Sequence, residues 1–473
     1  MPVNDLAERD PTDETQNPRN IDNLRPSESP PLLPSIPGIF PTAPELFNRY
    51  DRAITIVKQH TKQTIQPGKQ FFARKSRIGW TAHVHPEGAL YYVHDEKRIF
   101  TDAHLHIDTV FDAATAFIDK IEGPGSYEDN GMITSRRANG VDLVLDLVES
   151  EDGRGRMRCG YYFVDHLERI VFWDHPFELE RLSHGQYVTS AQHIKTELAV
   201  QFWRHCELFP STISVTRELI AELRDVLIHR IGDAMTSPTS TVADSVEDLL
   251  KMLTVVESMK ENVDIETDFS GSACVIGRLM WRFTSQMFHH FYGEPCARLD
   301  KTQSVYGNVP QHSLLIKIIA PILLNAPLTH LRMFEEVYAD EIVSHVHWRR
   351  IIERLDQEWQ QLTLFATVLL NADIAFLAIP MVDNGENAPR SAAQIAIYVS
   401  VVASLGSVVV GLFLSRSNRD RRDAEDYVDE AADYLALHHA SHFGFEPLAI
   451  MYSLPFSLLM WGQVTDAQFL WRL

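Results

Sequence analysis

The chain has 473 residues, which is enough for about three domains of ordinary size. Its 64 acidic and 43 basic residues give a formal net charge of −21, which argues against a nucleic-acid-binding protein because such proteins need a concentrated basic surface. Hydrophobic residues make up 45% of the chain, which excludes disorder throughout, and the four cysteines form no CxxC pair that would indicate a disulfide scaffold or a zinc knuckle.

The N-terminal segment is rich in proline, since ten of the 24 prolines lie in the first 45 residues. We expect residues 1–45 to be a disordered tail, in which the segment 26–37 favours polyproline II. No apolar stretch follows Met1, so no secretory signal peptide is predicted.

Residues 46–185 predict an α/β module, with strands in the range 70–176 and an amphipathic helix over 106–121. In its first β stretch, Trp80 precedes a Pro-x-Gly turn that ends at Gly88, and the aromatic pair Tyr91-Tyr92 follows. This stretch resembles the first two strands of a WW domain, including the 11-residue interval between Trp80 and Tyr91. The resemblance implies that these four residues form a WW-like structural core.

A second β stretch resembles the other half of a WW domain. Tyr162 is followed by Val164 and His166, Trp173 lies 11 residues after Tyr162, and Pro176 lies three residues further on. The resemblance implies that Tyr162 and Trp173 form an aromatic groove for a proline peptide, with Val164 and His166 beside it and Pro176 in the structural core. Flat aromatic faces suit a polyproline II ligand, which loses little entropy on binding.

Each unit departs from the WW pattern at one end. In the first unit, Asp95 and Asp102 stand where the family has its ligand-side histidine and its second tryptophan, so we expect this unit to bind no ligand. In the second unit, Glu151 stands where the family has its first tryptophan, and a predicted strand over 141–148 replaces it. The alternative is that both stretches are plain β-meanders whose aromatic side chains fill a core.

Residues 186–360 predict a helical domain, because apolar residues recur there at spacings of three and four. The predicted helices cover 191–206, 215–235, 242–262, 270–292 and 313–355, the last broken near Pro321 and Pro327. The apolar part of this last segment, 314–328, is interpreted as a buried helix end or an interfacial segment.

Residues 361–473 predict a membrane region. The segment 391–414 has 24 residues without a charge, enough for a helix to span a hydrocarbon core of about 30 Å. The segment 362–382 is a second predicted span, although Asn371 and Asp373 lie near its middle, where a carboxylate costs ~3 kcal/mol. A third apolar segment, 448–464, contains Pro455 and is left open as a span.

Small residues in the strongest span recur every four residues, at Ser400 and Ser404 and at Ala403, Ser407 and Gly411. Such spacing lets a neighbouring helix approach closely. Arginines cluster before the first span and after the second, whereas the linker 383–390 has one. The positive-inside rule therefore predicts a multi-pass membrane protein whose N-terminal bulk is cytosolic.

The whole pattern predicts a mainly α protein with a small antiparallel, WW-like β module and C-terminal transmembrane helices. The same order of parts resembles a group of fungal membrane proteins that contain WW domains. No GxSxG, GxxxxGK[ST] or HExxH motif is present, and no catalytic residue, metal site or cofactor is predicted.

Two classes of function follow from this pattern. The first is a membrane-anchored, non-enzymatic interaction or scaffold protein, whose partner is a protein, a proline-rich peptide or its own tail; membrane lipid is a further partner and nucleic acid is none. The alternative is a small membrane enzyme or an ion- or proton-handling protein that uses Asp373 and two histidine groups, one at 438–442 and one at 341–347.

Overall fold

The computed structural model describes most of the chain after residue 37. The expectation of a disordered tail over 1–45 is therefore wrong for its last residues, because Ile39–Pro41 form a strand and Ala43 is fully buried. The described residues are 38–47, 49, 64–70, 77–122, 140–150, 156–183, 188–263, 270–306, 312–338, 340, 345–378, 392–422, 434–439 and 443–470. The tail segment 26–37 and the linker 383–390 lie outside them.

The strands of the described region form one sheet, with the spatial order β2-β3-β4-β5-β6. The outer edge of β6 is shared by β1 and β7, which pair with different parts of that strand. The strands are β1 (Ile39–Pro41), β2 (Trp80–Val84), β3 (Leu90–His94), β4 (Ile99–Thr101), β5 (Val141–Glu149), β6 (Met157–Asp165) and β7 (Ile170–Phe172).

The sheet is mixed, so the expectation of an antiparallel module is wrong in this respect. β2, β3 and β4 form one antiparallel meander, and β5, β6 and β7 form a second. Helix α1 (Asp108–Glu122) connects them and returns the chain to the same end of the sheet, so β5 pairs with β4 in parallel. β1 also pairs with β6 in parallel. The two stretches that resemble WW halves therefore lie in one continuous sheet.

Both faces of this sheet are covered by helices. Phe117, Ile118 and Ile121 of α1 pack on one face, together with Trp80 and Tyr92. The opposite face packs on four helices, which the sequence predicted to within a few residues. These helices are α2 (Ala191–Leu208), α3 (Arg217–Thr236), α4 (Val246–Ser258) and α5 (Ser270–His289).

Helices α2 and α5 lie in very close contact at Gly277. A β-carbon at this position would lie 2.7 Å from the backbone nitrogen of Glu207, so only glycine permits this approach. Ser190, Thr216 and Ser245 each cap the N-terminus of the helix that follows, as the spacing of polar residues between apolar runs requires.

The C-terminal part is a bundle that begins where the sequence predicted a broken helix. The short helices α6 (Leu314–Ile322) and α7 (Ala326–Val337) form a hairpin, and three long helices follow. These are α8 (His345–Leu377), α9 (Ala392–Arg422) and α10 (Glu446–Leu470).

Three helices of the described chain are long and apolar enough to span a membrane. The matching segments are Trp348–Leu377, Gln394–Arg419 and Glu446–Thr465. The third of these contains the apolar segment 448–464, which the sequence left open as a span. It is long enough because the helix Glu446–Leu470 continues through Pro455 and beyond both ends of the apolar segment.

Candidate functional site

The bundle of α8, α9 and α10 has an apolar exterior over part of its length, and its interior combines apolar side chains with buried polar ones. Its buried polar side chains include Asp373 and a row of serines, all at most 1% exposed: Ser400, Ser404, Ser407, Ser453 and Ser457. Large apolar side chains point outward instead: Leu364, Phe365, Val368, Ile395, Val399, Val402, Leu405, Val409, Leu412 and Phe413. The exterior differs from that of a water-soluble domain, which rarely exposes so many large apolar side chains side by side.

Small residues bring the three helices together, as the four-residue spacing predicted. Gly411 of α9 lies against the hydroxyl of Thr363 on α8. A β-carbon at Gly462 of α10 would lie 3.3 Å from the hydroxyl oxygens of both Ser400 and Ser404. Ser407 donates a hydrogen bond of 2.7 Å to the carbonyl of Pro455. Serine hydroxyls therefore supply hydrogen bonds inside an interface where close packing holds the helices.

Asp373 and Asn371 occupy different environments, although they are neighbours in the sequence. Asp373 is 1% exposed and accepts a hydrogen bond of 2.8 Å from Ser400 on α9, whereas Asn371 is exposed. Asp373 lies about ten residues beyond the middle of the candidate span Trp348–Leu377, which is about 15 Å along the helix axis. The carboxylate is thus close to the end of α8 rather than at the centre of the span.

The four residues predicted to bind a proline peptide lie close together, but two of them are inaccessible. Tyr162 and Val164 are fully buried beneath α2, and the Tyr162 hydroxyl is hydrogen-bonded to His205. His166 is partly exposed, and Trp173 is half-buried, with its indole stacked on Phe177 at 4.1 Å between ring centroids. Peptide binding at these residues stays a prediction, and the burial of Tyr162 weighs against it.

The predicted WW-like core residues take part in the packing of the sheet. Trp80 and Tyr92 contribute to the face covered by α1, while Tyr91 contributes to the opposite face. Gly88 has a φ of +97° and ends the turn between β2 and β3, as its position after Pro86 predicted. Pro176, beyond β7, is exposed.

A buried hydrogen-bond chain connects the sheet to α2. Asp142 on β5 is fully buried and accepts from Arg98 at 2.5 Å, from His166 at 2.7 Å and from the Thr212 hydroxyl at 2.7 Å. Burial, the largest influence, opposes ionisation of Asp142, yet the hydrogen bond from His166 and the charge of Arg98 together hold its pKa below the usual value. The carboxylate is therefore ionised and fully partnered at neutral pH.

His205 extends this chain in one defined tautomer. Thr212 donates its only hydroxyl proton to Asp142, so its oxygen accepts from Nε2 of His205 at 3.2 Å. Nδ1 of His205 then accepts from the Tyr162 hydroxyl at 3.0 Å. Burial, the dominant cause, lowers the pKa of His205 to about 3, which keeps the imidazole neutral.

This network does not have the geometry of a catalytic triad. In a triad the two nitrogens of one histidine serve different partners, with the acid on one and the nucleophile on the other. Here Nε2 of His166 contacts both Asp142 at 2.7 Å and Thr212 at 3.3 Å, while Thr212 donates directly to the carboxylate. The arrangement fixes β5 to the turn after α2, which is a structural role.

A second polar cluster joins the β2–β3 turn to α2 and α5. His85 accepts at Nδ1 from the backbone N–H of Glu87, so its Nε2–H donates to the Glu207 carbonyl at 2.9 Å. The Cys274 sulfur lies 3.5 Å from the same nitrogen, which carries a proton and cannot act as a base. Burial, the largest cause, raises the pKa of Cys274 to about 11, so the thiol stays protonated.

Sequence reasoning did not identify Asp142, His205 or His85 as important side chains. One local signal was present, because Asp142 interrupts the apolar pattern of a strand that is otherwise rich in valine and leucine. Such an acid requires a buried partner. Of the two histidine groups, His442 and Glu341 lie outside the described residues, and within those residues no group of three ligands could hold a metal ion.

In comparisons with protein-family models, curated proteins and solved structures, nothing matches this chain.

Proposed function

We propose that the protein is a membrane-anchored, non-enzymatic interaction protein. The anchor is the bundle of α8, α9 and α10, and the observation that carries the proposal is its apolar exterior around a serine-lined interior. In water this exterior would expose large apolar side chains along the C-terminal half of α8 and most of α9, whereas in lipid it faces hydrocarbon. The body formed by the sheet and α1 to α5 is then held at the membrane surface.

The interaction role is supported by the free edge of the sheet. Within the described residues, β2 pairs with β3 on one side, and on its other side only Arg77 forms a single bridge, to Trp80. Val84 of β2 is 50% exposed and Ile78, in the turn before β2, is 98% exposed, so apolar side chains accompany the backbone groups at this edge. An unprotected edge strand of this kind accepts an extended segment of another protein as an additional strand.

The register identifies which backbone groups are available at this edge. His85 donates to the Ala89 carbonyl, and hydrogen-bonded and non-hydrogen-bonded pairs alternate along an antiparallel ladder. Val84 and Ala82 therefore belong to non-hydrogen-bonded pairs, and their N–H and C=O groups point away from β3. A partner strand would bind these groups.

Proline substitution at Ala82 tests this role, because it removes one outward N–H and leaves the β2–β3 ladder intact. A photo-reactive amino acid placed at Val84 of the full-length protein in its native membrane should yield a discrete protein adduct. The adduct should be lost in Ala82→Pro and kept in the matched control Ala82→Ser. An adduct that persists unchanged in Ala82→Pro, or no adduct at all, contradicts binding at this edge.

A second candidate function is proton or ion handling by Asp373, which the buried carboxylate favours. Asp373→Asn removes the charge but keeps a hydrogen-bond partner for Ser400. Proton or cation flux into proteoliposomes that depends on the protein and is lost in Asp373→Asn would support this function over the first one. Equal flux through liposomes with and without the protein would exclude it.

A further inference from the structure

Helix α6 and the turn that follows it carry an apolar surface that the three-helix anchor does not explain. Leu314, Ile318, Ile322 and Leu324 are all large, apolar and exposed, and they lie on one short hairpin. The opposite side of this hairpin packs into the bundle through Ile316, Ala320, Leu331 and Phe334. The hairpin is therefore part of the anchor and not of the α/β body.

Hydrogen bonds fix the position of α6 along α10. At the start of α6, the backbone N–H of Ser313 donates to Glu446 at 2.6 Å, at the first turn of α10. At the end of α6, Trp461 donates to the Ile322 carbonyl at 2.9 Å. The two helices therefore run side by side in the same direction over the length of α6.

These contacts also give the depth of the hairpin within the bundle. The Leu323 carbonyl lies 3.1 Å from the Ser457 hydroxyl, which is also 2.9 Å from the Ser453 carbonyl of its own helix. Ser457 lies eleven residues after Glu446, which is about 16 Å along α10. The candidate span Glu446–Thr465 has 20 residues, or about 30 Å. The tip of the hairpin thus lies at the level of the middle of the span.

From this geometry we infer that α6 and α7 form a re-entrant hairpin, which enters the hydrocarbon beside α10, turns near its centre and leaves on the same side. The inference rests on the membrane anchor proposed above. The partner of the exposed surface is lipid acyl chain, because this apolar surface lies between the first turn and the middle of the candidate span Glu446–Thr465.

The backbone carbonyls at the tip of the hairpin have protein partners, as a position in hydrocarbon requires. Backbone groups outside regular helix are tolerated at this depth only when protein groups satisfy them. Leu324 and Asn325 turn the chain with φ values of +57° and +60°. The Ile322 carbonyl accepts from Trp461, and the Leu323 carbonyl accepts from the backbone N–H of Ala326 at 3.1 Å.

The return helix ends at the level where α6 begins. Phe334 of α7 contacts Tyr452 at 5.4 Å between ring centroids, and Tyr338, just after α7, contacts Phe445 beside the first turn of α10 at 5.5 Å. The exposed Lys317, about one helical turn after Ser313, is near enough to that surface for its ammonium to reach water.

Spin labels along the hairpin test the inference in the full-length protein, reconstituted in phosphatidylcholine vesicles and carrying Cys296→Ser so that the exposed native thiol is absent. Single cysteines are placed at Leu314, Ile318, Leu324 and Glu336, and relaxation by oxygen and by a nickel chelate gives the depth of each label. We expect a profile that is shallow at 314, deeper at 318, deepest at 324 and shallow again at 336.

Two further labels separate failure of this inference from failure of the anchor. Leu405→Cys, on the exterior of α9, reports the lipid-facing surface, and Leu299→Cys, 82% exposed on the body, reports water. The label at 324 should match the one at 405. A label at 324 as accessible to nickel as the one at 299, with 405 still protected, overturns the hairpin alone. Nickel access at both 324 and 405 overturns the anchor as well.

Discussion

Removing the carboxylate of Asp142 should destabilise the contact between the sheet and the turn after α2 by more free energy than any surface substitution. In Asp142→Ala, the donors on His166 and Thr212 lose a buried acceptor, whereas Arg98, whose side chain is 43% exposed, regains contact with water. Loss of one partner of a buried ion pair costs ~3–5 kcal/mol, and the exposure of Arg98 places this case at ~3 kcal/mol.

The conservative variant refines this expectation. Asp142→Asn keeps one acceptor oxygen but presents an amide N–H₂ to a donor, so we expect a loss of ~1–2 kcal/mol. The acid dependence should also change, because the pKa of Asp142 is lowered in the folded state. Stability from this group is present above pH ~4 and falls as the pH drops through the lowered value, and both variants should lack that part of the acid loss.

Hydrogen exchange of the full-length protein measures this effect locally. Peptides from β5 and β6 of Asp142→Ala should exchange roughly a hundredfold faster than wild type, which corresponds to ~3 kcal/mol. Asp119→Ala, an exposed acid on α1, is the matched control and should leave these peptides unchanged. If the β5 peptides of Asp142→Ala exchange as slowly as in the wild type, this network does not hold β5 to the turn after α2.

Three further predictions concern other buried contacts. Burial raises the pKa of Glu197 to about 7, so the stability from this group is full below pH ~4.5 and falls as the pH rises through 7. Glu197→Gln should therefore stabilise α2 at pH 8 by up to ~3 kcal/mol, measured by hydrogen exchange. Faster exchange of α2 in this variant at pH 8 would contradict the prediction. Gly277→Ala should lower the free energy of unfolding by ~1–3 kcal/mol through overpacking and so lower the melting temperature, while Gly271→Ala, in open space, should not. Equal melting temperatures for the two variants would contradict the close approach at Gly277. Trp461→Phe leaves the Ile322 carbonyl without its indole donor and should destabilise the reconstituted bundle by ~1–3 kcal/mol in thermal unfolding, whereas no change would argue against that hydrogen bond.

Helices were predictable because their apolar residues repeat over many turns. The predicted helix 191–206 corresponds to Ala191–Leu208, and the break near Pro321 and Pro327 corresponds to the turn between α6 and α7. The small residues of α9 also predicted which of its faces is packed, since Ser400 and Ser404 are fully buried.

The arrangement of the sheet was harder to predict, because strand order and direction depend on how the connections fold back. The helix between the two meanders makes β4 and β5 parallel, which no local pattern in either strand indicates. The same limit applies to the buried network, whose members Arg98, Asp142, His166 and Thr212 come from separate elements. Spacing along the sequence does not bring such residues together.

Alkaline carbonate extraction tests the central claim, that the C-terminal bundle is embedded in lipid. The full-length protein should remain in the membrane pellet. The variant Val402→Lys, Leu405→Lys, Val409→Lys changes only exposed positions of α9 and should fail to insert, because each lysine costs ~3 kcal/mol at the middle of a span. Release of the wild-type protein into the supernatant, together with a folded and more soluble triple variant, would show that this exterior faces water and would contradict the account.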